Sequence, residues 1–185
     1  MQMQYTAQPN LATGVSVMDL SFYDLSITSY LQTLDAVSSI LEKGAESLKA
    51  PNEMVNHRLA HDMLPLSFQI RSVAHHSLGA IRGIEAGQFG PPPSVPDMDY
   101  AGLQAHVSEA AQALRDYEPD AVNALADKTL EFKAGSLELP FTAVNFIESF
   151  SKPNFYFHAT TTYTLLRIAG VHIGKLDFIG TPRVG

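Results

Sequence analysis

The chain has 185 residues, 45% of them apolar, with a mean hydropathy near zero, which suits one domain with a full hydrophobic core. Its formal charge of −7 arises from 19 acidic against 12 basic residues. The Lys and Arg positions are scattered, not gathered into a stripe, so nucleic acid and an anionic membrane are excluded as partners. Cysteine is absent, which excludes disulfides, thiolate metal ligands and cysteine nucleophiles.

Residues 1–17 lack the charged and apolar regions of a secretory signal and read as a loosely attached leader. Residues 18–185 read as a single helical domain. No apolar run approaches the roughly 18 residues of a membrane span, and a cytoplasmic protein is the simplest reading.

From Asp19 to about Ser47, Phe22, Leu25, Ile27, Leu31, Leu34, Val37, Ile40 and Leu41 recur mostly at steps of three and four, which predicts a first long amphipathic helix. A short helical piece is expected over Glu53 to Leu59. Asp62-Met63-Leu64-Pro65 reads as the start of a second long helix, with Asp62 as cap and Pro65 in the first turn. That helix should run to about Glu85 and stop at Gly87, with Leu66, Ile70, Val73, Ser77, Ala80, Ile81 and Ile84 as its core stripe. His75 falls opposite this stripe and is expected to be exposed.

Gly90-Pro91-Pro92-Pro93-Ser94-Val95-Pro96 cannot continue a helix and makes an extended surface connection. A third helix is expected from about Tyr100 to Tyr117, with a brief helical segment near Ala121 to Leu125. Thr129 to Lys133 and Ser136 to Leu139 alternate around Ala134-Gly135, a hairpin signal. Phe141 to Phe150 reads as helical. Pro153 then opens a fourth helix, on which Phe155, His158, Thr162, Leu165, Leu166 and Ala169 share one face at about 100° per residue. Glycines at 170, 174 and 180 end it and let the tail fold back. The expected fold is therefore all-α: an up-and-down four-helix bundle with a small β-hairpin inserted between helices three and four.

Four motifs in order carry a family resemblance: Arg58 to Gln69 (RLAHDMLPLSFQ), Pro153 to His158 (PNFYFH), Leu165 to Val171 (LLRIAGV) and Gly174 to Gly180 (GKLDFIG). The chain resembles a domain-of-unknown-function family of bacterial and fungal proteins related to the DinB/YfiT-like metalloenzymes. The resemblance covers roughly residues 18–180 and implies the DinB-like helical bundle. It also implies, in the relatives that bind metal, three histidines: one from helix two and a His-x-x-x-His pair from helix four. Here His158 matches the first of that pair, whereas Thr162 stands at the second.

Asp62, Gln69 and His76 are spaced by seven along helix two and flank its core stripe, so they are expected to face His158 across a crevice. A carboxylate or amide oriented on an imidazole makes an acid/base centre. In this reading His158 and Asp62 are catalytic, Gln69, His76 and Thr162 bind ligand, and no metal or other cofactor takes part. The partner is a small hydrophobic molecule undergoing isomerisation, dehydration or cyclisation. The structural alternative makes Asp62 a helix cap, bonds Gln69 to backbone and leaves His158 a neutral core residue. It belongs to a non-catalytic protein that forms a homodimer through aromatic faces. A third reading keeps the metal, held by His158 with His61 or His76 and Asp62.

Tyr156, Tyr163 and Arg167 lie on another face of helix four, with Asp177 within reach of Arg167. His57 and His61 share a helical spacing on a solvated segment, and His106 and His172 are expected at the surface. No nucleophile elbow, dinucleotide fingerprint, phosphate loop or calcium loop occurs.

Overall fold

The computed structural model describes residues 20–184; the expected leader lies outside them. The first long helix forms where its periodicity placed it. α1 (Ser29–Ser47) buries Tyr30, Leu34, Val37, Ile40 and Leu41 completely, each such side chain adding about 1.5–3 kcal/mol of transfer free energy. A π-helical turn, Asp24–Thr28, precedes it, and α2 is a single turn at Pro51–Met54.

Two findings overturn the four-helix bundle. First, the second long helix is broken. It begins at Leu66, with Pro65 as its extended flanking residue, and divides into α3 (Leu66–His75) and α4 (Leu78–Ala86). Ser77 is the cause. Its hydroxyl donates to the carbonyls of Val73 at 2.8 Å and Ala74 at 3.2 Å, competing with the helical ladder, and its backbone leaves the helical region at φ −114°, ψ −86°. The core stripe survives the break, since Leu66, Ile70, Val73, Ser77, Ala80, Ile81 and Ile84 are all buried.

Second, the hairpin is part of a mixed sheet. β2 (Thr129–Ala134) and β3 (Leu137–Thr142) pair antiparallel about Gly135, whose φ of 61° fits the tight turn. β1 (Gln88–Phe89), just after α4, joins β2 in parallel with Gln88 opposite Glu131 and Phe89 opposite Phe132, giving the order β1-β2-β3. Gly87 at φ 73° turns the chain from α4 into β1. Gly83 lets Phe89 lie flat on α4: a Cβ there would sit 2.8 Å from the Phe89 ring.

α5 (Tyr100–Arg115) is capped by Asp99, whose Oδ1 accepts from the Gly102 amide at 2.8 Å. α6 (Pro119–Asn123) leads to the hairpin, and α7 (Ala143–Phe146) passes through a second π-helical turn, Ile147–Ser151, into α8 (Lys152–Ile168). Within that turn the Ser151 hydroxyl accepts from Tyr30 at 2.8 Å and donates to the His76 carbonyl at 2.7 Å, satisfying a carbonyl freed by the break.

Gly170, at φ 89°, ends α8, and the tail returns over α1 as α9 (Lys175–Ile179). Asp177 pairs with Lys43, and Gln32 donates to the Ile179 carbonyl at 3.0 Å. Arg167 does not reach Asp177; it donates to the Ile173 carbonyl at 2.6 Å. Among the described residues no helix is long and apolar enough to cross a membrane.

Candidate functional site

α3 and α8 face each other and bring three of the expected site residues together. Gln69, almost fully buried on α3, donates through Nε2 to the Leu64 carbonyl at 2.8 Å. Its Oε1 therefore points at His158, 2.7 Å from Nδ1. An amide oxygen only accepts, so Nδ1 carries the imidazole proton and Nε2 keeps the lone pair. The ring of His76, at the end of α3, lies nearly parallel to that of His158, with centroids 5.8 Å apart and planes 19° from parallel. Burial, then the charges of His75 and His158, push His76 down to about 3; burial, then His75, pushes His158 down to about 4. Both are neutral at pH 7.

Thr162 lies one turn beyond His158 and is wholly buried. Its Oγ1, His76 Nδ1 and Ser72 Oγ are buried without a hydrogen-bond partner, a cost that close packing of α3 on α8 must offset. Asp62 is not brought to this cluster. It stands in the loop before α3 with 75% of its side chain exposed, 4.0 Å from the still more solvated His61. It makes no hydrogen bond to His158 and does not cap α3, which starts four residues later.

The three-imidazole metal site implied by the family resemblance does not fit these residues. A threonine hydroxyl, Thr162, stands where a second α8 imidazole would be needed, and a neutral hydroxyl is a poor replacement for that ligand. Among the described residues no three His, Asp or Glu side chains gather at metal-binding distances.

A cavity of about 450 Å³ lies instead on the other side of α3, between α3, α4 and α5, with the proline segment as its outer wall. Ala74, Leu78, Ala110, Pro92 and Val95 make its apolar surface, and Arg71, His75, Arg82, His106 and Glu109 supply its polar groups. Two hydrogen bonds pin the wall: Arg71 Nη2 to the Pro93 carbonyl and His75 Nε2 to the Gly90 carbonyl, each at 2.8 Å.

His75 is thus half-buried, contrary to its expected exposure, because β1 brings Phe89 beneath its ring with centroids 4.4 Å apart. Burial holds its pKa below the ordinary value against the opposing Gly90 hydrogen bond. His106 is likewise lowered by burial, with Glu109 and Arg71 acting in opposite directions on it. His75 touches His76 edge to face at 5.3 Å, so one side of it lines the cavity and the other backs onto the buried pair. Sequence reasoning missed this cavity. Arg71, His75, Leu78 and Arg82 follow at steps of four, three and four along the face opposite the core stripe, a pattern that reads as solvated until the proline segment covers it.

Helices packed about one core, with a three-stranded sheet beside them, make a DinB-like fold. A crystal structure of a DinB family member protein from Shewanella denitrificans is similar to this chain with a TM-score of 0.70 at 22% identity, over 88% of this chain and 94% of that one. Residues 22–179 match the family described as Domain of unknown function (DUF1993), and the chain belongs to that family. Comparison with functionally curated proteins gives no match.

Proposed function

We propose that this protein binds a small molecule in the cavity between α3, α4 and α5. The observation that carries this reading is a pocket of about 450 Å³ with an apolar interior and a wall held in place by Arg71 and His75, a size within the usual range of small-molecule sites. Ala113 lines the cavity without being fully buried, so Ala113→Phe fills the space while sparing the core. A fragment screen read by amide chemical shifts should give ligands that perturb Ala74 and Ala110 in the wild type and bind at least about tenfold more weakly to the variant. Unchanged binding in a folded Ala113→Phe protein refutes the reading.

A second reading places acid/base chemistry on His158 and is supported by the Gln69 hydrogen bond, which fixes the tautomer and leaves Nε2 free to take a proton. With its pKa pushed down to about 4, His158 is a weak base at neutral pH. It therefore suits isomerisation, dehydration or cyclisation of an apolar substrate whose leaving proton is already acidic. His158→Ala and Gln69→Leu should both abolish turnover of a substrate that the protein converts at this pair, which does not line the α3–α4–α5 cavity; retained turnover in either folded variant removes the pair from the mechanism. Exposed Phe157 and Ile168, on one face of α8, support the homodimer expectation.

A further inference from the structure

We infer that the occupant of this cavity is a small apolar carboxylate, a single negative charge on a hydrocarbon or aromatic body. The inference rests on the cavity reading above and adds the chemical class. Arg71 and Arg82 come from opposite sides of the helix break and line the same space. Among the described residues neither guanidinium lies within 4.0 Å of a carboxylate. Arg71 spends one N–H on the Pro93 carbonyl and retains others of its five for a ligand. Arg82 stands beside Tyr117, whose hydroxyl donates to Glu85 at 2.8 Å.

The two histidines of the cavity add no positive charge at neutral pH. His75 uses its Nε2 proton on Gly90, and burial keeps both rings uncharged. Glu109 is the carboxylate among the lining residues, so two guanidinium charges meet one acidic charge and leave an excess of one positive charge. That balance fits a monoanion. A phosphate dianion would exceed it and would face Glu109, while the aliphatic walls would be left without a partner. An arginine fork matches the two oxygens of a carboxylate, and the apolar body fills the space between Leu78, Ala110 and Val95.

The test is an amide-shift titration of the isotopically labelled full chain with 2-naphthoate, its neutral counterpart 2-naphthamide, and inorganic phosphate. The wild type should bind 2-naphthoate at least about tenfold more tightly than 2-naphthamide, with shifts at Ala74 and Ala110. Arg82→Gln should remove most of that preference, weakening 2-naphthoate far more than 2-naphthamide. It is the decisive variant because Arg71→Gln also releases Pro93. Glu109→Gln should tighten 2-naphthoate. Equal affinity for the two naphthyl probes overturns the carboxylate class and leaves the cavity reading standing. Phosphate shifting the same amides as strongly, and losing its effect in Arg82→Gln, overturns the class in favour of a phosphate. Absence of cavity shifts with any probe or screened fragment overturns both.

Discussion

Replacing His76 by leucine should change how stability depends on pH far more than it changes stability at pH 7. In the folded protein the imidazole is neutral down to about 3, against an ordinary 6.5. As pH falls below 6.5 the unfolded chain takes up a proton that the folded one refuses. Stability is therefore full above 6.5 and is lost progressively toward about 3, at about 1.4 kcal/mol per pH unit for each such proton. His158, lowered to about 4 and partly open to solvent, adds a second, smaller share over the upper part of that window. The leucine variant should lose the His76 share, making its slope near pH 5 shallower by about 1.4 kcal/mol per pH unit.

At pH 7 two effects of this substitution oppose each other. The unpartnered buried Nδ1 disappears, a gain of about 1–3 kcal/mol. Ring packing on His158, Phe89 and Phe150 is lost, a cost of about 1–3 kcal/mol by analogy with other core shape changes. The Ser151 bond to the residue-76 carbonyl remains, since it involves backbone. Urea unfolding at steps between about pH 7 and pH 5, analysed for midpoint and slope, measures both quantities. Parallel pH profiles for wild type and variant would refute the claim that His76 is held neutral by burial.

Gly83→Ala should destabilise by about 1–3 kcal/mol, because the new methyl meets the Phe89 ring at 2.8 Å and the Gln88 carbonyl at 3.2 Å and pushes β1 off α4; a thermal midpoint equal to wild type would show that Phe89 does not pack there. Phe157→Glu, on the exposed face of α8 shared with Ile168, should convert a homodimer to monomer in sedimentation experiments with little effect on the thermal midpoint. A wild-type protein that sediments as a monomer removes the dimer expectation.

Much of the fold was legible because its signals are local. The apolar steps of α1, the stripe from Leu66 to Ile84, the Ala134-Gly135 turn and the buried face of α8 from Phe155 to Leu166 each state their element within a few residues, whereas Pro153 does not open α8, which continues from α7 through the π-helical turn. The break at His76-Ser77 was not legible, since a serine inside an apolar stripe looks like a tolerated polar residue until its hydroxyl is seen on the Val73 carbonyl. β1 has two residues and no alternation of its own; its partner lies more than forty positions away, so pairing alone defines it. The Gln69 to His158 contact is a case where helical spacing sufficed, because both residues flank buried stripes of helices that pack together. Asp62 failed the same reasoning, since helical spacing does not apply to a residue outside the helix. The cavity depends on a loop lying over a polar helix face, and the sequence announces such a loop but not where it lies.

The parallel pairing of Gln88 and Phe89 with β2 also sets an order of assembly. Two residues cannot hold a strand by themselves, so β1 acquires its ladder after the local hairpin of β2 and β3 exists and the long intervening chain, α5 included, has closed on it. The proline segment leaves directly from β1 and ends at the Asp99 cap. The cavity wall is consequently among the late parts of the molecule to settle, and its stiffness is borrowed in part from the hairpin, whose Lys133 carbonyl lies against Gly90 where the wall begins. Substitutions at the β2–β3 turn, remote from Arg71 and His75, should show themselves as faster hydrogen exchange in β1, from which the wall of the pocket leaves.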